Sequence, residues 1–265
     1  AKAQPGNPKP RIFRLAQDSA LINRLGFNND GATAIAKRLP GLLSSLHPRP
    51  VPLGFNIGKS KVTSLEEAVD DYLESCEKLL PFSDYLVVNV SSPNTPELRK
   101  LQEPRRLSKL LEAILTYIQQ FAKTSNTSPK PLLVKIAPDL SETEIGEIAQ
   151  LALSVGVSGL IAANTTIERP GLRSASSEPG GLSGRPIARR ASEVLSTLYR
   201  AVEGQLPLIG VGGIFSAEDA YERICAGASL IQIYTAMIYA GPLFAKRIVR
   251  GLIQITERDR VSHMS

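Results

Sequence analysis

The chain has 265 residues, a net charge of +6 at pH 7 and 43% hydrophobic residues, which is enough material for one large α/β domain. Its basic residues form no dense patch with aromatic ones, so the composition argues against a nucleic-acid partner, while phosphate ligands and an anionic membrane surface fit equally well. The two cysteines, Cys76 and Cys225, and the two histidines, His47 and His263, lack metal-ligand spacing, so neither a disulfide framework nor a metal site is expected.

The chain opens with a Pro- and Gly-rich segment, followed by short apolar pieces over Arg11–Phe27 and by a helical pattern over Gly31–Leu46 that Pro40 is expected to kink. Beyond it, apolar runs typical of buried strands alternate with amphipathic helix patterns. Strands are predicted at Val51–Ile57, Tyr85–Val90, Leu132–Ile136, Gly159–Ala163, Leu208–Val211 and Leu230–Ile233. Helices are predicted at Leu65–Leu80, Arg105–Ala122, Glu142–Ser154, Ile187–Val202, Ala217–Ala226 and Pro242–Ile255. Helix N-caps are predicted at Ser64 with Glu67, Ser141 with Glu144, and Ser216 with Asp219.

These elements make six βα units, whereas a (β/α)8 TIM barrel needs eight. The sequence therefore predicts an α/β fold of this class, a single barrel domain over residues 1–265 that lacks its first one or two strands. The start without an initiator Met agrees with an incomplete chain. The Gly-, Ser- and Pro-containing loop Glu168–Pro179 is predicted to be a mobile active-site lid.

Polar side chains gather where the predicted strand Tyr85–Val90 ends. Asn89 lies inside the strand, and Ser92 and Asn94 follow within five residues. A buried amide needs a hydrogen-bond partner, so Asn89 alone fits a satisfied core amide, and Ser92 alone fits a turn cap. Three such groups at one strand end favour a ligand site.

Lys135 is placed inside the apolar strand pattern Leu132–Ile136. An ammonium buried without a counter-charge is costly, so something anionic is expected beside it. The partner is either a carboxylate such as Asp139 or an anionic ligand.

Glycines follow the predicted strand Leu208–Val211 and precede the capped helix at Ser216. Such glycines let backbone N–H groups approach a phosphate closely, although similar turns also serve as plain strand–helix connections. Tyr234 and Thr235 end the next predicted strand, and barrels frequently bind phosphate with the loops after their last two strands. The two adjacent strand ends therefore predict a phosphate site.

The segment Asn89–Pro96 resembles the catalytic strand and loop of the dihydroorotate dehydrogenases, the FMN enzymes of pyrimidine synthesis. Further matching segments follow the family's order: Ile22–Asn29, Gly54–Lys59, Leu133–Asp139, Asn164–Thr166, Gly180–Pro186, Ile209–Gly213 and Gly227–Thr235. The resemblance implies the barrel fold, bound FMN and the oxidation of dihydroorotate to orotate.

By this resemblance, Ser92 is the catalytic base, and Thr95 and Phe27 serve the proton relay and its shielding. Implied substrate contacts are Asn23, Arg24, Leu25, Gly26, Phe27, Asn89, Asn94, Asn164 and Thr165. Implied FMN contacts are Asn56, Asn89, Lys135, Ala163, Gly184, Gly213, Tyr234 and Thr235. Relatives often place Thr at the position of Ala163, so a backbone contact is expected there.

A serine base is typical of the quinone-using, membrane-associated class of the family, whereas the soluble class has cysteine. The resemblance therefore implies a membrane quinone as electron acceptor and peripheral attachment through an N-terminal segment that this sequence lacks. The bacterial inner membrane is the expected location, with the mitochondrial inner membrane as the alternative. Two other interpretations are a different phosphate-binding barrel, such as a phosphosugar isomerase, and an inactive or non-enzymatic barrel fragment.

Overall fold

The computed structural model describes residues 1–46, 48–174 and 176–259, so His47 and His263 lie outside the described residues. Its strands are β1 (Ile12–Leu15), β2 (Ala20–Asn23), β3 (Gly54–Ile57), β4 (Tyr85–Asn89), β5 (Leu132–Lys135), β6 (Gly159–Ala162), β7 (Gly181–Gly184), β8 (Leu208–Val211) and β9 (Leu230–Gln232). Its helices are α1 (Ala32–Ser44), α2 (Ala68–Leu79), α3 (Pro104–Ser125), α4 (Glu142–Val155), α5 (Ala188–Val202), α6 (Ala217–Cys225), α7 (Thr235–Ala240) and α8 (Phe244–Arg258).

The six predicted strands form one parallel sheet in the order β3-β4-β5-β6-β8-β9, with a helix following each strand. Parallel strands joined by helices all deliver their carboxyl ends to the same edge of the sheet. The register places Asn89 opposite Lys135 on neighbouring strands. Strand pairing alone therefore places these two predicted site residues side by side.

The sheet is apolar on both faces. Leu86 and Val88 of β4 belong to the main core between the sheet and its helices. Val87, between them in sequence, joins Leu133 and Ile161 in a second cluster on the opposite face. Alternate side chains of a strand point to opposite faces, so two-sided burial explains the continuous apolar runs that predicted these strands.

A second sheet, antiparallel and three-stranded, has the order β1-β2-β7. In the sequence, β1 and β2 are recognisable only as short apolar pieces, and β7 only as part of a glycine motif. Ala20 pairs with Gly184 and Asn23 with Gly181, about 160 positions apart along the chain. A pairing over that separation leaves no local periodicity to detect. It brings Asn23 to the edge where the parallel strands end.

Several predicted boundaries are wrong by a few residues. Ser64 and Glu67 do hydrogen-bond to each other, but the helix begins only at Ala68, so Ser64 is not its cap. Ser141 caps α4 in a reciprocal capping box with Glu144, as predicted. The predicted helix from Pro242 starts at Phe244 and is preceded by the short helix α7, which was not predicted. Within the three described ranges, no helix combines the length and hydropathy that crossing a bilayer requires.

Candidate active site

A cavity of about 550 Å³ opens at the carboxyl ends of the parallel strands. The predicted site residues that line it are Asn23, Leu25, Gly26, Phe27, Asn56, Asn89, Ser92, Asn94, Lys135, Ala163, Asn164, Thr165, Gly184, Gly213, Tyr234 and Thr235. Arg24 and Thr95 are the two predicted residues that do not line the cavity. The described residues contain no group of three or more His, Cys, Asp and Glu side chains that could hold a metal ion.

Amide groups form one wall of the cavity. The Asn89 Oδ1 atom accepts hydrogen bonds from Asn164 Nδ2 at 3.3 Å and from the Ser91 hydroxyl at 3.2 Å. Asn164 Nδ2 also donates to Ser91 Oγ at 2.9 Å, which fixes the plane of the Asn164 amide. Asn89 uses its oxygen within the protein, so its Nδ2 group is the part available to a ligand.

A second amide pair joins the two sheets. Asn94 Nδ2 donates to Asn23 Oδ1 at 3.1 Å, and Asn23 Nδ2 donates to the Gly181 carbonyl at 3.4 Å. Asn94 follows β4 of the parallel sheet, whereas Asn23 ends β2 of the antiparallel sheet. The small sheet therefore closes one side of the cavity and adds hydrogen-bonding groups to it.

Arg99 holds three strand ends together, a role that the sequence analysis missed. Its Nε donates to the Ser91 carbonyl at 3.1 Å, its Nη2 donates to the Thr165 carbonyl at 3.1 Å, and its Nη1 pairs with Asp139 at 2.7 Å. Asp139 also accepts from the Thr166 hydroxyl. The loops after β4, β5 and β6 are thus tied to one guanidinium.

Lys135 faces the cavity and forms no ion pair among the described residues. Asp139, the carboxylate partner considered for it, is engaged by Arg99 instead. Burial lowers the pKa of the Lys135 ammonium to about 8, because no nearby anion offsets its desolvation. A ligand with negative charge fits this position.

Ser92 lies in the cavity wall, whereas Thr95 does not line the cavity. Ser92 is nearly buried, and its Oγ accepts a hydrogen bond from the Asn94 N–H at 3.3 Å. Thr95 is also buried, and its Oγ1 has no hydrogen-bond partner among the described residues. Phe27 lines the cavity and packs on Gly58, where an added Cβ would lie 2.9 Å from the Phe27 ring.

Glycine backbone forms the opposite end of the cavity. Gly184 and Gly213 have φ values of 103° and 74°, which L side chains rarely adopt. A Cβ on Gly213 would lie 2.4 Å from Ala188 Cβ, so only glycine lets this loop lie against the start of α5. Thr235 completes the arrangement by donating to the Ser183 hydroxyl at 2.8 Å. Backbone and hydroxyl groups at the end of β7 and after β8 and β9 therefore converge, as a phosphate cradle requires.

The comparison with protein families decides the identity. A family model described as dihydroorotate dehydrogenase matches residues 1–256 of the chain. The chain belongs to the dihydroorotate dehydrogenase family. Members of this family depend on a flavin, which confirms that the predicted cofactor is a flavin.

Curated dihydroorotate dehydrogenases are close in sequence. A dihydroorotate dehydrogenase (quinone) of Gloeobacter violaceus is 51% identical over 262 residues, which cover 99% of this chain and 70% of the relative. Another, of Chloroflexus aurantiacus, is 50% identical over 254 residues, covering 94% of this chain and 69% of the relative. Membership of the family rules out the alternative of a phosphosugar isomerase.

Solved structures agree. The crystal structure of the dihydroorotate dehydrogenase of Eimeria tenella in complex with ferulenol has a TM-score of 0.93 and 42% identity, and the match covers 99% of this chain and 74% of that chain. The ligand-free form of the same enzyme gives a TM-score of 0.92. The predicted (β/α)8 barrel is confirmed, and the six parallel βα units are the part of it that this chain supplies.

The Arg24 side chain points away from the cavity, towards the loop predicted as a lid. Its Nη1 pairs with Glu178 at 2.5 Å, and its guanidinium stacks over the Phe13 ring at 4.8 Å. The same loop is tied by Asp18, whose carboxylate accepts the backbone N–H groups of Arg173 and Ser174. These contacts hold the loop on both sides of Ala175, which lies outside the described residues. The mobility of the loop Glu168–Pro179 stays a prediction.

Some lining residues had not been predicted. They are mostly apolar or small and come from the antiparallel sheet, from the ends of β8 and β9 and from the loop after β8, and they include Ile12, Leu21, Ser183, Val211, Phe215 and Gln232. Ser183 lies inside the matching segment Gly180–Pro186, so that segment was the available signal for it. The wall formed by β1 and β2 became visible only with the long-range strand pairing.

Proposed function

We propose that this protein oxidises dihydroorotate to orotate in pyrimidine synthesis, with FMN as its cofactor and a quinone as the electron acceptor. One observation carries the proposal: the unpaired Lys135 ammonium shares a cavity with the amide set and with Ser92. A cation, several amides and a hydroxyl in one enclosed space suit a charged cofactor beside a flat, amide-rich substrate. The names of the bacterial relatives specify both the reaction and the quinone.

The residues fit FMN at both ends of the cavity. Lys135 offers a positive charge to the ring system, with Asn56 and Asn89 beside it. The cradle after β7, β8 and β9 offers N–H and hydroxyl groups to the phosphate, from Gly184, Gly213 and Thr235 among others. Ala163 and Tyr234 complete the proposed contacts. Bound at these residues, FMN would supply the hydride acceptor and the route for electrons to the quinone.

The amides orient the substrate. A pyrimidine ring with carbonyl, N–H and carboxylate groups needs donors and acceptors in one plane. Asn89 Nδ2 and Asn94 Oδ1 are left for the substrate by the internal hydrogen bonds of the two amide pairs. The proposed contacts further include Asn23, Asn164, Thr165 and the segment from Leu25 to Phe27. For Arg24, no direct substrate contact is proposed, because it does not line the cavity and its side chain pairs with Glu178.

Ser92 is proposed to remove the substrate proton. A serine hydroxyl is a weak base at neutral pH, so the proton must move onward as it is taken. Thr95, three residues further on, has a buried hydroxyl with no hydrogen-bond partner among the described residues, and it could relay the proton by accepting it while passing its own proton on towards solvent. Phe27 lines the same cavity and is proposed to shield the reacting groups from water.

Peripheral association with the bacterial inner membrane is part of the proposal. A quinone is dissolved in the bilayer, so the protein must meet the membrane surface to deliver electrons. The test is co-sedimentation, with vesicles that contain a quinone and anionic lipid, of the protein carrying the N-terminal attachment segment that the resemblance implies. Absence of binding would argue against membrane association but would not affect the proposed oxidation of dihydroorotate.

The decisive experiment is an anaerobic absorption spectrum of the purified protein before and after addition of dihydroorotate. Flavin bands that bleach on addition are expected, and the Ser92→Ala variant should keep the bands but bleach far more slowly. If the bands of the unmodified protein do not bleach, the assignment of a flavin cofactor stands, but the assignment of dihydroorotate as the substrate is wrong. Absence of flavin, even after incubation with FMN, would favour the alternative of an inactive barrel fragment.

A further inference from the structure

Arg223 is a buried cation that the proposed chemistry does not use. It lies on α6, is 3% exposed, and does not line the cavity. Its Nη2 donates to the Gly212 carbonyl at 2.8 Å and to the Ala188 carbonyl at 3.2 Å. Its Nε and Nη1 are buried without a hydrogen-bond partner in the described ranges. A buried guanidinium with two idle donors and no carboxylate in contact is costly, so it calls for a function.

The charges around Arg223 do not neutralise it. The carboxylates of Asp219 and Glu222 favour its charged form, but burial opposes that form more strongly, so the pKa of the guanidinium is lowered. Arginine nevertheless stays protonated at every physiological pH. A positive charge that these carboxylates offset only in part therefore lies directly behind the glycine loop that follows β8.

The hydrogen bond to Gly212 determines the direction of the next N–H group. In a trans peptide, the C=O of one residue and the N–H of the following residue point in opposite directions. The Gly212 carbonyl points to Arg223, so the Gly213 N–H points away from it, on the side of the loop that lines the cavity. The Gly213 N–H donates to no backbone group of the described residues. It is a free donor aimed where the phosphate is proposed to lie.

We propose that Arg223 is a positioning residue for the flavin phosphate. It holds the Gly212–Gly213 peptide with its N–H turned into the cavity, and it adds a positive potential behind that donor. The second bond, to Ala188, fastens the same loop to the start of α5. This inference rests on the proposed function, because it requires a phosphate at the cradle.

The test compares FMN with riboflavin, which lacks only the phosphate, by titration of flavin fluorescence. Arg223→Met keeps an aliphatic stem against Gly210, where the Arg223 Cγ packs, and removes the charge and the donors. Arg223→Lys restores the charge without the planar fork. Arg190→Met is the matched control, since Arg190 also donates to backbone carbonyls, those of Pro138 and Leu140, but does not contact the glycine loop.

The expected result is a loss of about ten- to hundredfold in FMN affinity for Arg223→Met, with riboflavin affinity unchanged. Arg223→Lys should recover part of the loss, and Arg190→Met should keep the original ratio of the two affinities. If Arg223→Met leaves the ratio of FMN to riboflavin affinity unchanged, the role of Arg223 is overturned, while the proposed function is not. If Arg223→Met does not fold, an unchanged ratio in Arg223→Lys overturns it. If the unmodified protein binds FMN no better than riboflavin, the phosphate site of the proposed function fails as well.

Discussion

The side-chain amide of Asn94 donates to the amide oxygen of Asn23 at 3.1 Å, although 71 positions separate the two residues. This bond joins the parallel sheet to the antiparallel one at the cavity. Asn94 keeps its Oδ1 for a ligand, and Asn23 Nδ2 has a second N–H beyond the one that it donates to Gly181, so core packing alone does not explain this pair.

Replacing Asn94 by alanine should raise the KM for dihydroorotate by about tenfold or more, because a substrate contact and the orientation of Asn23 are lost together. The flavin spectrum should be unchanged. Steady-state kinetics checks this, with Asn126→Gly as the control, since Asn126 ends α3 in the left-handed conformation that glycine adopts freely. A KM unaffected by Asn94→Ala would remove Asn94 from the substrate site.

Thr95→Val should separate stability from catalysis. Valine has nearly the same shape but no hydroxyl, so it removes a buried group without a hydrogen-bond partner. The free energy of unfolding should rise by about 1 kcal/mol, while flavin reduction by dihydroorotate slows. Chemical denaturation and stopped-flow absorbance measure the two effects. Unchanged reduction kinetics would exclude Thr95 from the proton path.

Lys135 makes the stability of the flavin-free protein depend on pH. The pKa of its ammonium is about 8 in the fold against 10.5 for the ordinary side chain, so the unfolded chain binds more protons between these values. Stability therefore rises as pH increases from 8 to 10.5, by about 3 kcal/mol in total from this residue.

The measurement is the difference in unfolding free energy between the unmodified protein and Lys135→Met across that pH range. Subtraction removes the contribution of other titrating groups. Lys135→Met should be the more stable form at pH 7, and the difference should vanish by pH 10.5. Bound FMN should shrink the effect, because its negative charge favours the ammonium. A pH-independent difference would contradict the assignment.

Gly213→Ala and Gly204→Ala form a matched pair, because both glycines have a φ of 74°. An added Cβ meets nothing within 4 Å at Gly204 but lies 2.4 Å from Ala188 Cβ at Gly213. Gly204→Ala should cost only the backbone strain, roughly 1 kcal/mol. Gly213→Ala should cost more and should also weaken FMN binding, as thermal unfolding and fluorescence titration would show. Equal effects on FMN binding would contradict the proposed cradle.

The sequence predicts the parallel sheet well because its central strands β4, β5, β6 and β8 are buried on both faces and carry continuous apolar runs, as Tyr85–Asn89 does. It fails for β2 and β7, which pair with each other across about 160 positions, and for β1, which pairs only with β2. The start of α2 was misplaced because the Ser64–Glu67 bond forms in a turn before the helix.

The polar side chains of the site were predictable because buried amides and a buried lysine stand out in apolar strands. The geometry between them was not. Nothing in the sequence shows that Asp139 pairs with Arg99 and not with Lys135, since that choice depends on a loop conformation. The burial of Arg223 was not predictable either, because a basic residue in an amphipathic helix pattern is ordinarily exposed to solvent.

Arg99 has a consequence for ligand affinity. Since one guanidinium already fixes the loops after β4, β5 and β6, the amides at their ends are ordered before any ligand arrives. A small flat substrate then loses its own translational and rotational freedom on binding but does not have to freeze these loops as well. The entropy of ordering the site is spent during folding, so weakening Arg99 would transfer that cost to every binding event.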